Sequence, residues 1–269
     1  MDIVTHILSG IAVGTVIASF SAKGTKVKLK VIGFSGFGGA FPDFDAISLW
    51  SGFDKTFGKL FGLNDSGKTI YFSKYWYSHH GFFHSIFASL IFALTIGLIL
   101  YLIQSRIGNK GKETIQDSFK NNSLILIGFI AGFILHLLED MPTPGCVWGG
   151  VRLLWPLRPY VGGTGEIWWW NNYDIFIIVF GLIIINGLVL SMQRYISFDK
   201  KKLTVMFFLI GLTLCIVQIK RRSYDFNYVG QTSKFQQYEQ KSKDIQQKIL
   251  GGKLYGLMVS FDKKIRVNF

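Results

Sequence analysis

The sequence predicts an all-α, polytopic membrane protein with about five to six membrane segments, and it does so on three grounds. Of the 269 residues, 49% are hydrophobic and only 17% charged, with a mean hydropathy of +0.34. Several apolar runs reach or approach about 18 residues, and ~20 residues at ~1.5 Å rise cross the hydrocarbon of a bilayer. Basic residues gather in the short connections between those runs, where they set topology.

Taken in order, Ile3–Phe20 is apolar but rich in Gly, Ser and Thr, and it carries His6. It lacks the basic start and small-residue cleavage site of a signal peptide, so it is expected to be retained structure. Val31–Phe41 is only marginally long enough to span and contains Gly33, Gly36, Gly38 and Gly39. Small residues let helices approach closely in lipid, so a packed or half-crossing segment is expected. Four spans follow: Phe82–Gln104, Ser123–Leu138, Asp174–Met192 and the shorter Leu203–Ile219, which basic residues flank. Met141–Tyr173 is a long connection holding Trp148, Trp155 and the run Trp168–Trp170. Tryptophan suits the headgroup zone, so these rings read as interfacial anchors, and such a loop can also roof a site. Residues 221–269 read as a polar, basic tail beyond a helical membrane domain of residues 1–220. A surface helix is expected over Gln236–Leu250, and a strand or interfacial segment over Leu254–Phe261.

A net charge of +13 raises nucleic acid as a partner, but the Lys and Arg residues lie beside spans and in the tail. They are expected to anchor the chain to anionic headgroups, with membrane lipids rather than nucleic acid as partners. Cys146 and Cys215 are too few for a disulfide framework. Lys23, Lys26, Lys28 and Lys30 mark one cytoplasmic loop. Arg106, Lys110, Lys112 and Lys120 mark the next, and Arg194 with Lys200–Lys202 the third. Alternation then brings His6, the Asp43 region, the His79 region and the end of the Ser123 span to the extracytoplasmic face. Lys220, Arg221 and Arg222 run against that orientation, although simple inversion keeps the four regions together.

Those regions hold all five histidines: His6, His79, His80, His84 and His136. Ionisable groups at membrane depth are costly and mark function. On a helix, His136 and Asp140 share one face as two ligands of one metal must, with Glu139 able to join or orient them. Pro142 and Pro144 end that helix. Asp43 and Asp45 flank Phe44 in Phe41–Asp45; an extended segment would project both carboxylates to one side, where a cation relieves their repulsion. His79 is expected on a loop, His84 on a first helical turn, and Gly81 at a bend that joins them. Imidazole with carboxylate suits zinc, manganese or iron.

Taken together, these motifs resemble the LexA-regulated, inner-membrane metal-dependent hydrolases of bacteria. The likeness runs from Met1-Asp2-x-x-Thr5-His6 through Pro42-Asp43-x-Asp45 and His79-x-Gly81-x-x-His84-Ser85. It continues to His136-Leu137-x-x-Asp140-x-x-Thr143-x-Gly145 and Trp155-Pro156. The chain departs from the family in carrying His80 where Arg is usual and Phe83 where Thr is usual. The resemblance implies a hydrolase of the bacterial inner membrane.

The expected function is therefore metal-activated attack of water on an ester or phosphoester, of a lipid or lipid-linked substrate at the membrane surface. The expected metal ligands are His6, Asp43, Asp45, His79, His84, His136 and Asp140. Glu139 and Asp43 are the expected catalytic carboxylates, and zinc the expected ion ahead of manganese or iron. The rival expectations are a transporter of metal ions or protons and a non-catalytic regulatory protein with a structural metal.

Overall fold

Sequences this apolar fold in lipid by satisfying every backbone group within helices. The computed structural model describes residues 2–107, 114–192 and 199–265, so Lys110, Lys112 and Arg194 lie outside the described residues. Helix α1 covers Ile3–Ser19 and α2 covers Thr25–Ala40, followed by a 3-10 helix, Pro42–Leu49. A short α3, Gly67–Tyr71, and a 3-10 turn, Phe82–His84, lead into α4, Ile86–Ile107. Then come α5, Ile115–Asn121, α6, Ser123–Asp140, α7, Tyr173–Ser191, and α8, Lys200–Lys220. The last helix, α9, covers Phe235–Ile265 and breaks at Gly251, whose φ is 73°. Four of these (α4, α6, α7 and α8) are long and apolar enough to cross a membrane, and α1 is a shorter apolar helix. Among the described residues no strand forms.

The centre of the bundle is built from small residues. Helices α1, α2 and α6 pack on one another more closely than any other set. A Cβ at Gly132 of α6 would collide with the Ser35 carbonyl of α2 and stand 3.1 Å from the Gly39 nitrogen. Ser35 Oγ donates to the Gly128 carbonyl at 2.6 Å, closing the same seam. With little hydrophobic driving force between helices in lipid, such close backbone contact is what holds them. Helix α2 is thus an inner helix, and it starts earlier than the sequence suggests. Asn186 of α7 donates to Thr15 of α1 at 3.0 Å, tying the next helix on. Helices α4 and α8 expose most of their length on the outside, as lipid-facing spans do.

Chain direction sorts the ends. The end of α1, the starts of α2, α6 and α8, and the end of α4 share one face, where Lys23 donates to the Asn121 carbonyl at 2.9 Å. The opposite face gathers the start of α1, the end of α2, the start of α4 and the end of α6. The 141–172 connection and residues 221–265 also pack there.

Three local expectations need correction. Phe41–Asp45 is helical, not extended: Phe41 has φ −66° and ψ −38°, and Pro42 starts the 3-10 turn. Proline is pre-set for a first helical turn, and two acids there meet the positive end of the dipole. Leu254–Phe261 is not a strand; it is the second half of α9, and Phe261 packs against Phe176 of α7. Trp168 is fully buried against Phe226, Phe235 and Tyr238, so its ring packs within the protein rather than facing lipid.

That aromatic seam is locked by a buried ion pair, Arg222 to Asp174 at 2.9 Å, with side chains only 1% and 3% exposed. Asp174 also accepts from Gln218, and its backbone N–H donates to Gln246 of α9. Removing one partner of a buried pair leaves the other charge stranded, at a cost of about 3–5 kcal/mol. Arg222→Ala is therefore expected to lower the thermal midpoint in detergent clearly. An unchanged midpoint would mean the pair is solvated.

Candidate metal centre

Four elements deliver the five histidines to one end of the bundle. His6 lies on the first turns of α1 and His136 on the last turns of α6. His84 ends the 3-10 turn before α4, while His79 and His80 lie on the loop ahead of it. All five are buried, from fully for His84 and His136 to 8% exposed for His79. His84 sits just ahead of α4 rather than on its first turn. The bend is shared between His80, at φ 62°, and Gly81, at φ −84° and ψ −126°, outside the regions L-residues favour.

Each ring is held from behind. His136 Nδ1 donates to the Gly39 carbonyl at 2.7 Å, and His80 Nδ1 donates to the Gly150 carbonyl at 2.9 Å. A carbonyl can only accept, so both rings carry their proton on Nδ1 and, when neutral, turn the Nε2 lone pair the other way. The Gly39 carbonyl can reach His136 because Gly39, with no side chain, lies directly on the His6 carbonyl. His6 Nδ1 meets Glu139 Oε2 at 2.7 Å. Asp45 faces two rings: its Oδ1 is hydrogen-bonded to His79 Nδ1 at 2.6 Å, whereas its Oδ2 stands 3.1 Å from His84 Nδ1 without a hydrogen bond between them.

The Nε2 atoms converge on two further carboxylates. Asp140 lies 3.3 Å from His6 Nε2, 3.1 Å from His136 Nε2, 3.6 Å from His84 Nε2 and 3.9 Å from His80 Nε2. Asp43 Oδ1 lies 3.6 Å from His136 Nε2 and 3.8 Å from His84 Nε2. Two donors bound tetrahedrally to one zinc at ~2.1 Å stand about 3.4 Å apart, so these separations suit a shared ion. Three overlapping groups have that spacing: His6, His136 and Asp140; Asp43, His84 and His136; and His79, His80 and His84. The buried Nε2 atoms of His84 and His136 make no hydrogen bond within the protein. Buried polar atoms are almost always satisfied, and a cation is the partner that neutral, inward-facing imidazoles fit. The residues therefore fit a divalent metal.

Burial pushes the imidazoles of His79 and His84 down to about 4 and that of His80 to about 3, so all three are neutral at pH 7. Burial likewise raises the Asp45 carboxyl to about 6. A neutral His80 does not supply the cation that an arginine would.

Asp43 and Asp45, expected on one side, lie on opposite sides of His84: Asp43 at Nε2 and Asp45 at Nδ1. Asp43 is the more open, with its side chain 18% exposed against 7% for Asp140 and 2% for Asp45. The cluster also has a roof that the motifs did not specify. Trp148 packs on His79 and His80, at 4.9 and 4.7 Å between centroids, and donates its indole N–H to the Tyr71 carbonyl. Tyr71 stacks on His79 at 4.5 Å, and Arg152 N–H donates to the His80 carbonyl. Both Trp148 and Arg152 come from the 141–172 connection.

Fold and site together define a polytopic helical membrane protein with a buried histidine–aspartate cluster at one end of its bundle. The chain belongs to the YdjM inner membrane protein family, whose pattern matches residues 1–224. It is accordingly a protein of the bacterial inner membrane. No curated protein and no solved structure matches it.

Proposed function

We propose that this protein is a metal-dependent hydrolase whose centre holds one or two divalent ions, zinc ahead of manganese or iron. Its ligands are His6, Asp43, His84, His136 and Asp140, with His79 and His80 completing a second group that shares His84. The observation that carries this reading is the pair of buried Nε2 atoms of His84 and His136, which make no hydrogen bond and face Asp43 and Asp140, with Gly39 and Asp45 behind the rings. Bound there, the ion supplies a Lewis acid that lowers the pKa of water from ~15.7 towards ~7 and polarises an ester oxygen.

The chain's own groups do the rest. Asp43, on the open side, accepts the proton of the attacking water. Glu139 and Asp45 fix the tautomers of His6 and His79, Asp45 also lies against the Nδ1 side of His84, and Trp148 and Tyr71 keep bulk water off the far side. Asp45 thus acts as an orienting residue rather than a ligand, and Glu139 braces His6 rather than serving as the base. The basic loops at the opposite face favour an extracytoplasmic site, at headgroup level, where the substrate is an ester or phosphoester of a lipid or lipid-linked molecule. Transport would call for polar groups continuing through the bilayer. Ser35, Thr15 and Asn186 Nδ2 make helix–helix or intrahelical bonds in the bundle, and Ser9 Oγ and Asn186 Oδ1, which make none, are two isolated atoms rather than a continuous polar path.

The test is release of product from a panel of lipid phosphoesters by zinc-loaded protein in detergent micelles. Asp43→Asn is expected to cut turnover by about 10²-fold or more, the usual worth of a positioned base. Absence of turnover across the panel by protein with metal bound would overturn hydrolysis and leave a metal-binding protein. Glu139→Gln keeps the shape but weakens the brace on His6. It is expected to reduce metal affinity about 10–100-fold, measured by competition with a chromophoric chelator.

A further inference from the structure

Beside the cluster, at the same end of the bundle, a cleft of about 110 Å³ opens between the first turns of α1 and α7 and the last turns of α9. We propose that it binds the head group of an amine-bearing, zwitterionic phospholipid. Six of its lining residues carry the inference: Asp2, Asn171, Tyr173, Phe176, Phe261 and Asp262.

The two carboxylates supply one half of the recognition. Asp2 accepts from Thr5 N–H and Thr5 Oγ, at 3.0 and 2.7 Å, and Asp262 accepts from the Tyr173 hydroxyl at 2.8 Å. These neutral donors position the carboxylates without cancelling their charge, and among the described residues no Lys or Arg pairs with either. An ammonium group supplies the missing charge, and the aromatic walls favour a cation further.

Asn171 supplies the other half. It is only 8% exposed, and its Nδ2 is buried without a hydrogen-bond partner. A buried, unmatched donor calls for an acceptor, and a phosphate oxygen a few bonds from the ammonium is one. Ammonium and phosphate on one small head group match the cleft.

A stripe of rings then leads out of it. Phe261 packs on Phe176 at 6.0 Å, and Phe176 stacks with Phe180 at 6.2 Å, one turn further along the membrane helix α7. Phe180 is 48% exposed on the outside of the apolar helix α7. An acyl chain follows that stripe, whereas a soluble ammonium ion has no use for it. An anionic head group, lacking the amine, meets Asp2 and Asp262 uncompensated. None of these six side chains is a proposed metal ligand, so the site stands whether or not the cluster hydrolyses a substrate.

Native mass spectrometry of the full-length protein with equimolar phosphatidylethanolamine and phosphatidylglycerol of matched chains tests this. Retention of the ethanolamine lipid is expected to exceed that of the glycerol lipid about tenfold, equivalent to ~1.4 kcal/mol. The double variant Asp2→Asn/Asp262→Asn keeps an oxygen acceptor for the Thr5 N–H and the Tyr173 hydroxyl, lets Asn Nδ2 donate to Thr5 Oγ, and loses both charges. It is expected to retain the two lipids equally at an unchanged thermal midpoint. Phosphatidylethanolamine acetylated on its amine probes the intact wild type and is expected to fall to the glycerol-lipid level. Equal retention of the two lipids by wild type, a preference that survives in the variant, or full retention of the acetylated lipid would each overturn the proposal.

Discussion

His136→Ala is expected to weaken metal binding by more than about 100-fold, an effect that only His84→Ala should match. His136 belongs to two of the three ligand groups, and its Nε2 stands 3.1 Å from Asp140 and 3.6 Å from Asp43. Groups that only orient a ligand typically account for about 10–100-fold in affinity, so a ligand shared by two groups exceeds that range. Asp45→Ala, which unbraces His79 and His84 without removing either, is expected to fall within it. Chelator competition on both variants reads the order directly. A larger loss from Asp45→Ala than from His136→Ala would place the ion on the outer side of His84, between it and His79.

Gly132→Leu is expected to lower stability by at least about 3 kcal/mol and to take the metal with it. Overpacking typically costs about 1–3 kcal/mol when side chains can yield. Here the new side chain would meet backbone, at the Ser35 carbonyl and the Gly39 nitrogen. Moving α2 off α6 also draws the Gly39 carbonyl away from His136 Nδ1, so helix packing and ligand orientation fail together. Thermal unfolding in detergent, followed by metal analysis of the folded fraction, separates the effects. A folded Gly132→Leu protein with full metal would show that the seam does not position His136.

The spans were legible because lipid demands long apolar helices, and α4, α6, α7 and α8 each end within a few residues of where hydropathy puts them. Helix α2 was less so: its first half, Thr25–Lys30, is as basic as a loop, and only its packing on α1 and α6 makes a helix of it. The histidines were legible from the alternation of spans, which sends His6, His84 and His136 to one end. Which carboxylate faces which nitrogen was not. The fork between Asp43 and Asp45 depends on a 3-10 turn of eight residues, and Pro42 argues for extension before it and for helix after it. That the Met141–Tyr173 connection can roof a site was legible, but not that Trp148 and Gly150 are the residues that meet His79 and His80. They lie about 70 residues from His79 and His80 in sequence, and aromatic and glycine residues carry no spacing signal that links them to a histidine. In the tail, the i, i+3, i+4, i+7 spacing of Tyr255, Met258, Val259 and Asp262 was a helical signal beyond Gly251, masked by Gly251, Gly252 and Gly256, which weaken a helix.

Metal content is the direct test of the centre. Wild-type protein purified in detergent, free of chelators, is compared by inductively coupled plasma mass spectrometry with His136→Ala/Asp140→Ala prepared in parallel. Stoichiometric zinc, manganese or iron in the wild type and background levels in a variant that still folds is the expected result. A folded wild type with no metal, or equal metal in both proteins, would contradict a metal centre at His136 and Asp140.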